Sequence, residues 1–446
     1  MIFRNLRSGI CMAVGGAVTA LLGMAAPASG ATGEQFIPLP AIRTGPIAPI
    51  GTGIFGGFID YMTLLNQRDG GINGVKLVWE ECETAYQVDR GVECYERFKA
   101  KGGATVLSNY HTGVTYALTE RARADKFPLV AVGSGRTDSS DGRVFPYVFP
   151  LATNYLSEHV AIVNYIAQRE GGFDKLKGKK IAHVYLGIAA AKESIPLMDK
   201  QAKQYGFEIH NIELALPGVE QQSQWLQVRQ IRPDWVVLRT AGVAGPAALK
   251  TAQKVGYPMD RIVGWWFAGA EEDVVGVGEG AKGYISTTLG PSETGFPVIQ
   301  DIWKRFYAGG KKGNMEDPKR VGSSYYNRGI VHAIIVTEAI RAAQGKFGKK
   351  PLNGEQIQWG LEHVTLDNAR LRQLGAFGLA QPMKLSCQNH EGGGAVKFQQ
   401  WDGKKWIVIT DWIPSDPAVV RPIVEEQSLK YAKEKNMALR DCSKEK

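Results

Sequence analysis

The chain has 446 residues, of which 44% are hydrophobic and 22% charged. That length accommodates two or three domains, and that balance excludes a disordered or fibrous chain. The net charge of +9 gathers in stretches such as "DKLKGKK" and the closing "KEK", without interleaved aromatics or a nucleic-acid motif, so it belongs to a solvated surface and no nucleic-acid partner is expected.

Arg4 and Arg7 precede an apolar run over residues 10–24 and then "APASGA", whose small residues suit cleavage after Ala28 or Ala31. Residues 1–31 read as a secretory signal peptide, too short and wrongly flanked for a membrane span. Cys11 sits inside the run rather than at its end, which argues against a lipid anchor. No later segment has about 18 uninterrupted apolar residues, so an exported, periplasmic protein is expected. Cleavage leaves Cys82, Cys94, Cys387 and Cys442. An even count in an oxidising compartment favours disulfides, and four cysteines permit three pairings. Cys82 with Cys94 and Cys387 with Cys442 is the expected set, because Cys82 ends a strand and Cys94 lies on the next helix. No CxxC or Cys/His ligand spacing appears, so no metal is expected.

Short apolar runs then alternate with amphipathic helices. "GVKLVWEE" reads as a strand, "VDRGVECYERFKAKG" as a helix, "ATVLS" as a strand, "GVTYALTERARAD" as a helix and "FPLVAVG" as a strand. The pattern resumes with "YLSEHVAIVNYIAQREGG" as a helix, "KKIAHVYLG" as a strand, and continues through "GPAALKTAQKVG". Such alternation implies α/β units with parallel sheets. The rhythm breaks near residues 149–155 and again near 284–295, which two sheets rather than one would explain. In the last third, "GGAVKFQQWDGKKWIVITDWI" alternates around an Asp-Gly turn and predicts a hairpin, followed by a charged tail.

Few motifs carry chemistry. "GTGIFG", residues 51–56, matches a dinucleotide fingerprint, but Pro46 and Pro49 interrupt the strand that should lead into it, so a Gly-rich turn before a helix is expected and no cofactor. GxSxG, HExxH and SxxK with matching partners are missing, and the seven histidines are scattered. Two polar loops remain. "VLSNYHTGVTYAL" places Ser108, Asn109, Tyr110, His111 and Thr112 between a strand and a helix, and "PLVAVGSGRTDSSDG" places Gly133, Ser134 and Gly135 after the next strand. Carboxyl ends of strands are where open α/β sheets bind ligands, and the helix start after Thr112 offers free N–H groups to a carboxylate. At a third strand end, "GWWFAGAEEDV" supplies Trp265 and Trp266, of which at most one can face a given cleft, and acids that open a helix.

Taken in order, "TGPIAPIGTG", "NQRDGGINGVKL", the "SNYHTG" and "VAVGSG" loops, "RPDWVVLRTAG" and "GYISTT" resemble the type 1 periplasmic solute-binding proteins of ABC importers, the leucine/isoleucine/valine-binding group, over residues 36–413. The resemblance implies an α/β fold of two Rossmann-like lobes joined by a three-strand hinge, with the ligand in the cleft. It implies lobe one over 36–150 and 290–374, lobe two over 151–289 and 375–415, and a tail over 416–446. The partners implied are a small-molecule solute and an inner-membrane ABC permease with its cytoplasmic ATPase, and the protein is not expected to be an enzyme. The resemblance places Thr112 at a ligand carboxylate and Gly133 at a backbone position serving both ends of an amino acid. Ile50, Tyr110, His111 and Ser134 fall within the motifs around the cleft. Gly135 stands where the group usually has threonine, Ala190 where it has an aromatic, and Trp266, with Glu271 after it, where it has a glutamate for the ammonium. The carboxylate half is thus retained and the ammonium half weakened, so the solute expected is a small carboxylate or amide with an apolar or aromatic body, or a branched-chain amino acid. A ligand-sensing partner of a membrane signalling protein, or a secreted enzyme on the same architecture, are the alternative classes.

Overall fold

A computed structural model describes residues 33–444, so the signal-peptide reading and Cys11 lie outside the described residues. The chain opens with β1 (Glu34–Ala41), which pairs in parallel with β2 (Lys76–Glu83), Glu34 opposite Lys76 and Ala41 opposite Glu83. Beside them β3 (Leu107–Ser108), β4 (Leu129–Val132) and β5 (Val148–Leu151) form a second parallel set, with β1 lying against β3. The next five strands build another sheet: β6 (Lys180–Leu186), β7 (Glu208–Leu214), β8 (Trp235–Arg239), β9 (Ile262–Gly264) and β10 (Ile285–Thr288), parallel throughout in the order β10-β9-β8-β6-β7. A short antiparallel pair, β11 (Thr365–Leu366) and β12 (Met383–Lys384), precedes β13 (Ala395–Trp401), which returns antiparallel to β10 and turns at Asp402 and Gly403 into β14 (Trp406–Val408). The alternation read from the sequence therefore holds, including the hairpin, and the fold is α/β with parallel sheets. β4, β5 and β8 are buried at every residue, as parallel strands covered on both faces must be.

The breaks in rhythm mark where the chain changes sheet. After β5, Ala152 takes a positive φ of 71°, a strained value for a residue with a Cβ. Its carbonyl is held there by Gly394 N–H at 2.6 Å and by the Gln381 amide at 3.0 Å. Gln381 also exchanges two hydrogen bonds with the Ala395 backbone. One side chain thus ties the first crossing to the stretch entering β13.

Three expectations change. "ATVLS" supplies only the two paired residues of β3. "GTGIFG" lies inside the helix Ala48–Arg68 rather than in a turn before it. Its glycines serve packing: a Cβ at Gly56 would sit 2.1 Å from the Met315 sulfur, and one at Gly57 2.1 Å from the Tyr326 carbonyl. From the other side, a Cβ at Gly329 would lie 2.0 Å from the Ile54 carbonyl, so the helices Ala48–Arg68 and Ser324–Phe347 meet backbone to backbone. Finally, the charged tail contains the helix Pro417–Glu434, capped by Asp416 at the Ala418 N–H. Val420 and Val424 pack on Leu156, Val160 and Leu197, while Ala432 and Tyr431 pack in the cluster of Val144, Phe145 and Val148. The helix therefore spans both sides of the first crossing. The disulfides are Cys82–Cys94 and Cys387–Cys442, the second fastening the end of the tail.

Candidate functional site

The carboxyl ends of the strands of the parallel sheets converge on one narrow cavity. Its body is apolar: Ile42, Ile47, Ile50 and Ile188 line it, with the rings of Tyr86, Tyr110, Tyr155, Trp265 and Phe267. Its polar end is a cluster of hydroxyls. Tyr155 Oη lies 2.9 Å from Thr112 Oγ1 and donates to Ser134 Oγ at 3.2 Å. Thr112 opens the helix Thr112–Asp125, so its hydroxyl is set beside the positive end of a helix dipole. No carboxylate lines the cavity.

Five of the residues singled out in the sequence meet there: Ile50, Tyr110, Thr112, Ser134 and Ala190. The other five are placed differently. His111 caps the helix, accepting from Val114 N–H at 3.3 Å through Nδ1 and bonding the Tyr86 carbonyl at 3.0 Å through Nε2. Its ring stacks on Tyr86 at 3.9 Å, and burial lowers its pKa to about 4, so it is a neutral support beneath Tyr86. Gly133 has both backbone groups committed: its N–H donates to the Leu151 carbonyl at 2.9 Å, and its carbonyl accepts from Arg328 at 3.2 Å. In this arrangement its N–H is turned into the sheet rather than towards the cavity. Gly135, at φ 113°, lies clear of its neighbours, the nearest atom to an added Cβ being a Thr115 methyl at 3.8 Å. Trp265, not Trp266, faces the cavity. Trp266 turns to stack on Tyr155, as the opposite facing of adjacent residues requires. Glu271 is turned away onto Ser292 Oγ and the Ser324 N–H at 3.1 Å, with its pKa pushed up to about 7 by burial and by neighbouring Glu272.

Sequence reasoning missed the charges beneath the site. Arg328, fully buried, donates from Nε to the Val132 carbonyl at 3.0 Å and lies 4.2 Å from the Phe267 ring centre. It thereby pins the turn that presents Ser134. Arg239 ends β8 with its guanidinium 4.4 Å from the Trp265 ring centre and 3.4 Å from Glu158. Glu158 accepts from the Trp266 N–H at 3.0 Å and from Thr287 Oγ1, and its pKa is pushed up to about 7 by burial, against the pull of Arg239. The signal was present: arginine interrupts an otherwise apolar strand in "WVVLR" and an apolar helix in "YYNRGIVHAII". A buried guanidinium is costly unless an anion, carbonyls or ring faces meet it, as Glu158 and Trp265 meet Arg239 and the Val132 carbonyl and Phe267 meet Arg328.

Two layers thus converge on an apolar cavity with a small polar end, and the pattern of the whole chain can be set beside that geometry. Residues 34–405 match the family model described as periplasmic binding protein. The chain belongs to that family. Periplasmic binding proteins of this group are the solute-binding proteins of ABC transporters rather than enzymes. Among solved structures, an "abc transporter permease from pseudomonas fluorescens group" is 49% identical, with 92% of this chain and 99% of that chain covered at a TM-score of 0.85. The fold is shared with a Thermus thermophilus branched-chain amino acid ABC transporter protein with bound valine, 20% identical, with 88% of this chain and 99% of that chain covered and a TM-score of 0.72. It is shared too with a solute-binding protein from R. palustris in complex with benzoate, 18% identical, with 86% and 98% covered and a TM-score of 0.67. None of the curated proteins matches the chain. Among the described residues, no helix is long and apolar enough to cross a membrane, and no group of His, Cys, Asp and Glu could hold a metal ion.

Proposed function

We propose that this periplasmic binding protein captures a small carboxylate with an apolar or aromatic body, closing two lobes over it and delivering it to a permease of the inner membrane. The lobes would be 36–150 with 290–374, and 151–289 with 375–415, turning about the crossings near Ala152, Leu289 and Gln381. The observation that carries the ligand class is the cavity's lining: three hydroxyls at one end, aromatic and isoleucine side chains along the rest, and no carboxylate. An amino acid would bring its ammonium into that apolar space without an anionic partner, and an unpaired buried charge is costly. A benzoate-like acid brings one charge to the hydroxyls and the helix start, and its ring to Trp265 and Phe267. A micromolar grip requires about −8 kcal/mol, within reach of a few charge-assisted hydrogen bonds and burial of one ring. Fold relatives bind ligands of both kinds, valine in one and benzoate in another, so the lining and not the fold carries the choice.

The test is a thermal-shift screen of aromatic acids, aromatic amides and amino acids. A solute at 100 times its dissociation constant adds about 2.7 kcal/mol of stability. Aromatic acids are expected to raise the melting temperature and leucine and valine to leave it unchanged. Stabilisation by leucine or valine without any effect of aromatic acids would overturn the reading.

A further inference from the structure

Glu193 is a charged residue that the cleft does not use. It follows the short helix Ala189–Lys192, beyond β6, and it reaches out of its own sheet's layer. Its carboxylate accepts the Thr137 N–H at 2.9 Å, the Thr137 hydroxyl, and the Tyr116 hydroxyl at 2.8 Å. Thr137 and Tyr116 belong to the other layer, in the loop after β4 and on the helix Thr112–Asp125 whose first residue is the hydroxyl anchor of the cavity. Three donors from one side converging on one acceptor from the other is the geometry of a clasp. Ala190, three residues before Glu193, lines the cavity, so the clasp stands at its margin. Other contacts between the layers are the Val243 N–H on the Pro46 carbonyl at 3.0 Å, the Arg320–Glu272 ion pair, and the Ser324 N–H on Glu271 at 3.1 Å.

The receiving half of the clasp is rigidly built. Arg136, beside Thr137, is 4% exposed and makes a two-pronged pair with Asp138 at 2.7 and 2.6 Å. Three rings enclose its guanidinium: Phe145 at 4.3 Å, Tyr431 at 4.4 Å and Tyr116 at 4.8 Å. Tyr116 therefore both caps Arg136 and donates to Glu193, and Tyr431 brings the C-terminal helix into the same assembly.

We propose that Glu193 is the positioning residue that latches the closed form, a clasp across the cleft that sets how tightly the solute is held. This rests on the two-lobe reading of the preceding section. The groups that act on the carboxylate are Thr137, Asp138 and Tyr116 from the opposite layer, and its charge is felt by Tyr155 and Arg239 on its own side of the cavity. Lys192, next to it, is turned onto Glu213 at 3.0 Å. Burial, with Asp138 adding to it, pushes the Glu193 carboxyl up to about 7 in this closed arrangement. In an open form the carboxyl returns to water and to the ordinary glutamate value of about 4.3. The closed form then binds the proton more readily than the open one. Closure is strongest below the open value and weakens as pH rises towards 7.

Three variants separate the outcomes on the full disulfide-bonded chain. Glu193→Gln keeps an uncharged acceptor, Glu193→Ala removes the clasp, and Tyr116→Phe deletes one donor with little threat to folding. The first readout is small-angle scattering of the solute-free protein between pH 5 and 8. The radius of gyration should rise with pH in the wild type, stay at its compact value in Glu193→Gln, and stay expanded in Glu193→Ala. The second readout is calorimetric titration with sodium benzoate and with L-valine. For whichever binds, the wild-type dissociation constant should rise at least tenfold from pH 5 to 8, the Glu193→Gln value should change less than threefold, and Tyr116→Phe should weaken binding about threefold at pH 5. Identical pH profiles for wild type and Glu193→Gln in the scattering, two flat ones included, overturn the latch. Failure of both solutes to bind would count against the proposed ligand class alone, because the scattering arm needs no solute.

Discussion

The two ends of the cavity are built on different principles. The hydroxyl end takes Thr112 and Ser134 from consecutive strand-end loops, each placed by local chain geometry, and Tyr155 Oη joins them from the aromatic wall. The aromatic end comes from chain segments far apart, with Tyr155 beyond the first crossing and Trp265 and Phe267 after β9, all seated over buried arginines. Local geometry presents a polar group wherever a strand meets a helix. A wall of rings must instead be held by what lies behind it, and here charges lie behind it. The comparison predicts that damage to the aromatic end spreads through stability, whereas damage to the hydroxyl end is confined to affinity.

The largest effect is expected at Arg239. Arg239→Met removes the cation from the Trp265 ring and leaves Glu158 buried without its partner. Breaking a buried pair from one side costs about 3–5 kcal/mol, and urea unfolding of the variant should show a loss of that size. The double variant Arg239→Met, Glu158→Gln should recover most of it. A loss below about 1 kcal/mol in the single variant would mean that the charges do not support the wall. Trp265→Ala, at a fully buried side chain, should lose a similar 3–5 kcal/mol and abolish solute binding together.

A smaller, pH-dependent effect is expected from His332, which packs edge-on between Phe58 at 5.0 Å and Tyr110 at 5.2 Å. Burial, reinforced by Arg328, lowers its pKa to about 3. The folded state therefore refuses a proton that the unfolded state accepts below about 6.5, so stability is complete above that value and declines as pH falls towards the folded one. At pH 5 the loss from this group is about 2 kcal/mol. His332→Phe should remove it, so that the stability of the variant relative to wild type rises by that amount between pH 7.5 and pH 5. A constant difference across the range would show that His332 does not stay neutral.

The same comparison explains what could be read from the sequence. Strand and helix periods, the hairpin at Asp402 and Gly403, the Cys82–Cys94 pair and the loops carrying Thr112 and Ser134 follow from local rules, and they were legible, with Cys387–Cys442 left as the remaining pair. Tyr155 was not, because its value depends on the crossing at Ala152 swinging it beneath Thr112. The choice between Trp265 and Trp266 was not, because alternation says that one faces the cavity without saying which. "GTGIFG" imitated a phosphate loop because close approach of two helices and close approach to a phosphate ask for the same residue. The C-terminal helix escaped notice because its buried residues Val420, Val424, Ser428 and Ala432 form only a narrow apolar stripe in a charged sequence.

The smallest effect tests the hydroxyl end itself. Thr112→Val keeps the shape of the side chain and removes only Oγ1, whose neighbour is Tyr155 Oη at 2.9 Å. Tyr155 keeps Ser134 Oγ at 3.2 Å, so the loss leaves it with a partner and the fold should lose no more than about 1 kcal/mol. A hydrogen bond to a charged group contributes about 1.5–3 kcal/mol, so a carboxylate solute such as benzoate should bind ten- to a hundredfold more weakly. An uncharged amide of the same ring should lose less than tenfold, because its bond to the hydroxyl is a neutral one. If the acid and the amide lose equally, Thr112 contributes shape rather than charge recognition. The contrast between a polar end that selects and an aromatic end that supports would then collapse into a single apolar cavity.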